Sequence, residues 1–280
     1  MQTVGVLGCG LMGSGIAQVC AQTGHRTIVR EVDQMLVDKG LGRIERFLNA
    51  GVERKKVSPE ERDKTLANLS GTIDVAPLAD ADIVIEAIVE DLDAKREMFA
   101  ALDGVVRDDA LFASNTSSLS ITEMASATTR PDRFVGLHFF SPVPVMKLVE
   151  VVRGLATNDE TYARTLEFAK TLGKQPITAP DRPGFIVNRL LIPYLLDAIR
   201  AYESGLGSIE DIDAGMSLGC GHPMGPLTLL DFIGLDTTYY IANIMYDEFR
   251  DPAYAAPPLL KRMVTAGRLG QKSGHGFYTY

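Results

Sequence analysis

Gly8-Cys9-Gly10-Leu11-Met12-Gly13 follows directly on the apolar run Val4-Gly5-Val6-Leu7 and opens a stretch of helical spacing over residues 13–22. The G-x-G-x-x-G spacing alone says little, because glycine is common. Set between a strand and a helix, it reads as a dinucleotide-binding turn. Gly8 permits the tight turn, Gly10 lets the backbone approach a pyrophosphate, and Gly13 allows close packing of helix on sheet. The helix opening around Leu11 and Met12 presents backbone N–H groups and a positive dipole end to phosphates. Glu31 lies 18 residues beyond Gly13, at the end of the second expected strand, where a carboxylate can accept from both ribose hydroxyls. Its charge disfavours a 2′-phosphate and so favours NAD over NADP, although neighbouring Arg30 could accommodate that phosphate.

Working outward, residues 4–7, 27–29, 83–87, 111–113 and 135–139 are short apolar runs of the kind that form buried parallel strands. Residues 13–22, 36–50, 94–102 and 121–127 have helical spacing between them. Such alternation predicts a parallel sheet with helices on both faces. The polar stretch 36–69 is too long for one crossover and predicts a helical hairpin. Residues 147–152 and 175–179 read as further strands around a helix over 159–172. Pro180-Asp181-Arg182-Pro183-Gly184 breaks the pattern and is read as a domain boundary. Beyond it helices are expected over 185–202, from Ser208 onward, over 228–249 and over 258–265, with one last strand at 276–278. The expected fold is therefore α/β, a Rossmann-type doubly wound sheet over 1–182, followed by a smaller all-α domain over 183–280.

Composition narrows the function classes. Of 280 residues 46% are hydrophobic and 23% charged, which excludes a disordered or fibrous chain. The longest unbroken apolar run, residues 98–102, cannot span a bilayer. A net charge of −8 argues against nucleic acid and anionic membranes as partners. Cys9, Cys20 and Cys220 lack any C-x-x-C spacing, so neither a disulfide framework nor a metal site is expected, and a cytoplasmic setting is.

His138 ends the strand Val135-Gly136-Leu137-His138, at the sheet edge where open α/β folds bind ligands. Glu150 interrupts the apolar strand Leu148-Val149-Glu150-Val151-Val152, where a charge is costly without a partner. A Pro-rich turn could bring the two together as a base and its orienting carboxylate. On spacing alone, an ordinary hydrogen-bonded structural histidine competes with that reading. His25, His222 and His275 sit beside glycines and read as structural or surface residues.

The chain resembles the L-3-hydroxyacyl-CoA dehydrogenase family. The matching segments are GVLGCGLMGSGIA, IVIEAIVED, FASNTSSLSIT, RFVGLHFFSPVPVMKLVEVV, DRPGFIVNRLL, HPMGPLTLLDFIGLD and GQKSGHGFY, in family order over essentially the whole chain. The resemblance implies NAD-dependent, reversible oxidation of (S)-3-hydroxyacyl-CoA, of short chain length, to 3-oxoacyl-CoA. It makes His138 the base, Glu150 its partner, Ser117 a donor to the reacting oxygen and Asn188 a substrate contact. Glu90, Lys95 and Asn115 fall near the nicotinamide end of the cofactor; without the resemblance, Lys95 reads as a solvated helix residue. Residues 39–64 carry eight Lys or Arg against five Asp or Glu, a local +3 suited to an anionic CoA. Lys56 corresponds to a lysine near the CoA phosphates, and Asn49 stands where many relatives have serine. A homodimer through the helical domain is also implied. The rivals are a dehydrogenase of a free hydroxy acid, of gulonate or carnitine type, and a non-catalytic NAD-binding relative such as a lens crystallin.

Overall fold

A computed structural model describes residues 2–280, which divide into two compact units, one ending at Arg182 and the other running Pro183–Tyr280. The first begins with β1 (Thr3–Leu7), α1 (Leu11–Gln22), β2 (Arg26–Arg30), α2 (Gln34–Glu53), α3 (Pro59–Ala67) and β3 (Leu69–Thr72). It continues with β4 (Ile83–Glu86), α4 (Leu92–Asp103), β5 (Leu111–Ser114), α5 (Ile121–Ala125) and β6 (Phe134–Phe139). β7 (Leu148–Arg153), α6 (Asp159–Thr171) and β8 (Gln175–Pro180) complete it. The strands form one eight-stranded sheet in the order β3-β2-β1-β4-β5-β6-β7-β8. All neighbours are parallel except β6 and β7. The order reverses between β1 and β4, so the crevice of such a sheet opens at their carboxyl ends, where the glycine turn lies.

Every residue of β4, β5 and β6 is buried, as helices on both faces require. Phe99 of α4 packs on Phe112 of β5 and Phe134 of β6, with ring centroids 5.4 and 4.5 Å apart. Fully buried Arg130 lies over Phe112 and reaches Asp103 Oδ1 at 2.6 Å. Burial pushes the Asp103 carboxyl up, but the Thr129 N–H and the Arg130 guanidinium outweigh it and hold the group below its usual range. The expected hairpin is α2–α3, and Ser58 and Glu61 form a reciprocal capping box at the start of α3.

The helical unit contains α7 (Val187–Glu203), α8 (Ile209–Cys220), α9 (Pro226–Ile233), α10 (Leu235–Phe249) and α11 (Pro258–Thr265). Ser208 Oγ accepts from the Asp211 N–H and starts α8. Three expectations need correction. The single helix over 228–249 is broken at Gly234, whose φ of 103° no helix can accommodate. The terminal strand at 276–278 is absent from the ladder. Buried Asp231 instead takes the N–H groups of Phe277 and Tyr278 at 2.9 and 2.8 Å. In the first unit β3 was not foreseen, because Leu69-Ser70-Gly71-Thr72 is an edge strand without an apolar run. No described helix is long and apolar enough to cross a membrane.

Candidate active site

The glycine turn is built for a ligand's backbone approach. Gly8 has φ +89°, and a Cβ there would lie 2.6 Å from the Ala87 carbonyl oxygen. A Cβ on Gly13 would collide with the Gly8 carbonyl, so helix and turn can meet only through glycine. Around Gly10 the corresponding space is open. Gly10 is also the N-cap of α1 and caps it with no side chain, leaving the first-turn amides for an incoming acceptor. Leu11 is exposed, and Met12 is half-buried against the core. Glu31 is half-buried, its carboxylate accepting from the Cys9 N–H at 2.6 Å and from the Val32 N–H at 3.2 Å. Arg43 of α2 donates to the Cys9 carbonyl at 3.1 Å, so Cys9 is tied through both its N–H and its C=O. Burial pushes the Cys9 thiol up to about 11. These residues fit a dinucleotide.

At the carboxyl ends of β4 and β5 lies a buried charge cluster. Lys95 Nζ is 2.6 Å from Glu86 Oε1 and 2.9 Å from Glu90 Oε2. Glu86 also accepts from Ser114 Oγ at 2.5 Å and from the Ile88 N–H at 2.7 Å. Glu90 takes the Thr116 hydroxyl and, at 3.2 Å, the Ser117 N–H. Burial pushes the Glu86 carboxyl up despite Lys95, whereas the two carboxylates outweigh burial at Lys95 and hold its ammonium up. Asn115 Oδ1 accepts from the Phe139 N–H at 2.9 Å, fastening the end of β5 to that of β6. The loop carrying Ser117 is thereby fixed between cluster and sheet.

His138 and Glu150 are direct partners in the β6–β7 ladder. Strand register alone therefore sets their side chains face to face, with Nδ1 2.7 Å from Glu150 Oε2. Glu150 is fully buried and His138 7% exposed. An ionised Glu150 can only accept, which puts the proton on Nδ1 and makes Nε2 the basic nitrogen. The structure thus brings together His138 with Glu150, and Lys95 with Glu90, Asn115 and Ser117 along one edge. Asn188 lies half-buried in the first turn of α7. Lys56 is exposed in the turn after α2, and Asn49 accepts from Arg62 at 3.3 Å, so both belong to the hairpin. Among the other histidines, His25 is buried against Thr171, and His222 is exposed beside Tyr194.

Sequence reasoning passed over Glu86, Ser114 and Thr116. For Glu86 the signal was present, since it ends the apolar run Ile83-Val84-Ile85 just as Glu150 interrupts its own strand. Ser114 and Thr116 carry no such mark.

Residues 3–182 match the 3-hydroxyacyl-CoA dehydrogenase NAD-binding domain, and residues 184–280 the C-terminal domain of the same family. The chain is 53% identical to a 3-hydroxybutyryl-CoA dehydrogenase of Mycobacterium tuberculosis over 282 residues, covering 100% of this chain and 99% of the relative. The crystal structure of M. tuberculosis FadB2 aligns with a TM-score of 0.99 at 53% identity, covering 100% and 99% of the two chains. That of (S)-3-hydroxybutyryl-CoA dehydrogenase PaaH1 from Ralstonia eutropha aligns with a TM-score of 0.96 at 45% identity, with the same coverage.

Proposed function

The chain belongs to the 3-hydroxyacyl-CoA dehydrogenase family and has its NAD-dependent activity on 3-hydroxyacyl-CoA, and from that premise we propose that His138 and Glu150 are its base and orienting carboxylate. The observation that carries this reading is the buried 2.7 Å pair at the carboxyl edge of the sheet. In the oxidation, His138 Nε2 takes the proton of the substrate's 3-hydroxyl as the C3–H bond breaks and the C3 carbonyl forms. NAD, when bound, supplies the hydride acceptor. Glu150 stabilises the imidazolium so created and keeps the ring from turning. Ser117 donates to the developing carbonyl oxygen. Gly8, Gly10, Leu11, Met12, Gly13 and Glu31 hold the adenosine and pyrophosphate, while Glu90, Lys95 and Asn115 border the nicotinamide end. Asn188 is assigned a substrate contact on its GFIVNR motif. Lys56 and Asn49, on the +3 hairpin, are assigned to CoA.

We also propose a homodimer through the helical unit. Leu206 and Leu218 are 78% and 87% exposed there, and Tyr194, Ala198, Leu206, Ile212, Met216 and Pro226 line an apolar groove of about 360 Å³. A second copy would cover such a surface.

The purified protein should oxidise NADH with acetoacetyl-CoA and do so far more slowly with free acetoacetate. Turnover of the free acid alone would reverse the substrate assignment. A monomer by light scattering would remove the dimer.

A further inference from the structure

Lys174 stands between α6 and β8, only 8% exposed, and its ammonium donates to two backbone carbonyls, Val143 at 2.5 Å and Met146 at 2.8 Å. Both carbonyls lie in the turn that joins β6 to β7, the strands bearing His138 and Glu150. The next residue, Gln175, donates its N–H to the Lys147 carbonyl at 2.7 Å and continues the grip along the same turn. Val143 is buried beside Gly15 of α1. A Cβ added at Gly15 would fall 2.9 Å from Val143 Cβ and 3.5 Å from Pro144 Cδ.

We propose that Lys174 is a positioning residue for the reaction, clamping this turn so that the His138–Glu150 ladder and the nucleotide-binding helix keep one fixed separation. The proposal rests on the assignment of His138 as base. Burying an ammonium is costly, and here its partners are neutral carbonyls. Burial accordingly pushes the Lys174 ammonium below the usual lysine range. An apolar side chain would fill the space at lower cost, but it could not fasten two carbonyls of one turn at once. A base must be held to within a fraction of an ångström of its productive position, and about 1 Å of misplacement can cost about 100-fold.

The test compares Lys174→Met and Lys174→Gln with Lys174→Arg, each checked for folding by thermal melting. Lys174→Met should lower kcat about 10- to 100-fold while KM for NADH stays within about twofold. The downfield proton resonance of His138 Nδ1 should shift or broaden, and Lys174→Arg should recover most of the lost kcat. Should the methionine variant not fold, Lys174→Gln, which keeps an amide donor, carries the same measurements. A lower melting temperature with unchanged kcat and an unchanged Nδ1 resonance would overturn the proposal. His138→Gln, run alongside, separates the two questions. Full turnover in that variant rejects the base assignment, whereas the Nδ1 resonance reports on the clamp whichever residue is the base.

Discussion

The His138–Glu150 pair and the Lys95–Glu86–Glu90 cluster are both buried charge at one edge of one sheet, yet they are assembled by opposite means. The first is set by backbone, since two residues paired in an antiparallel ladder have no choice but to face each other. The second is set by side chains, with one lysine reaching from α4 to a carboxylate ending β4 and another in the following loop. In the ladder, removing a side chain leaves the geometry around it standing. In the cluster the lysine is the joint, and removing it leaves two carboxylates close together, one of them fully buried. On the roles proposed above, the pair changes charge in every cycle while the cluster holds a loop still.

His138→Gln is the strongest way to break this contrast. Loss of a general base costs about 10²- to 10⁴-fold, so kcat should fall by that much. NADH affinity and melting temperature should stay near wild type. If melting fell as steeply as kcat, the ladder would be load-carrying in the same sense as the cluster and the distinction would collapse.

Lys95→Met should do the reverse and act first on stability. Removing one partner of a buried ion pair costs about 3–5 kcal/mol. The loss should also depend on pH. Burial raises the Glu86 carboxyl in the folded state, whereas the unfolded group titrates near ~4.3. Between those two values the native protein holds a proton that the unfolded chain has released. Stability associated with the protonated group is therefore lost as pH rises through the folded value. Without Lys95 the folded value climbs further, so the melting deficit should be larger in mildly alkaline buffer than in mildly acidic buffer. An equal deficit in both would show that the charge of Glu86 is not what Lys95 offsets.

The same contrast explains what could be read from the sequence. A glutamate inside the apolar run of β7 and a histidine ending that of β6 advertise a buried pair, and a short turn brings them into register. Lys95 looks like a solvated residue on an amphipathic helix, because its burial depends on Glu86 and Glu90, outside that helix. Strands β1, β2 and β4 to β7 were legible because burial on both faces, or nearly so, demands apolar runs, a demand absent at the edge strand β3; β8, the other edge and largely exposed, was nonetheless read as a strand from residues 175–179 after the helix over 159–172. The division of 228–249 into α9 and α10 turns on the backbone of one residue, Gly234, and apolar periodicity runs on through it. Lys174 gave no signal at all. A lone lysine before a strand is ordinary, and only the fold shows which carbonyls it meets.

Glu31 is a fourth carboxylate at this edge and sharpens the comparison, its oxygens accepting from backbone amides. Its oxygens accept from Cys9 and Val32, with neither ladder partner nor cation among those contacts. If it accepts from the ribose hydroxyls, Glu31→Ala removes those acceptors and also frees the Cys9 N–H, leaving Arg43 on the Cys9 carbonyl. One charge-assisted hydrogen bond is worth about 1.5–3 kcal/mol, and part of that is recovered when water replaces the carboxylate at a half-exposed site. Affinity for NADH should therefore fall by about tenfold. NADPH, whose 2′-phosphate the carboxylate repels, should lose little or gain, so the preference between the cofactors narrows. Arg30 limits the gain, because its Nε already donates to the Ile73 carbonyl at 3.3 Å. The check is titration of both reduced cofactors against wild type and variant by nicotinamide fluorescence. Equal weakening of the two would mean that Glu31 holds the turn and leaves the choice of cofactor to other residues.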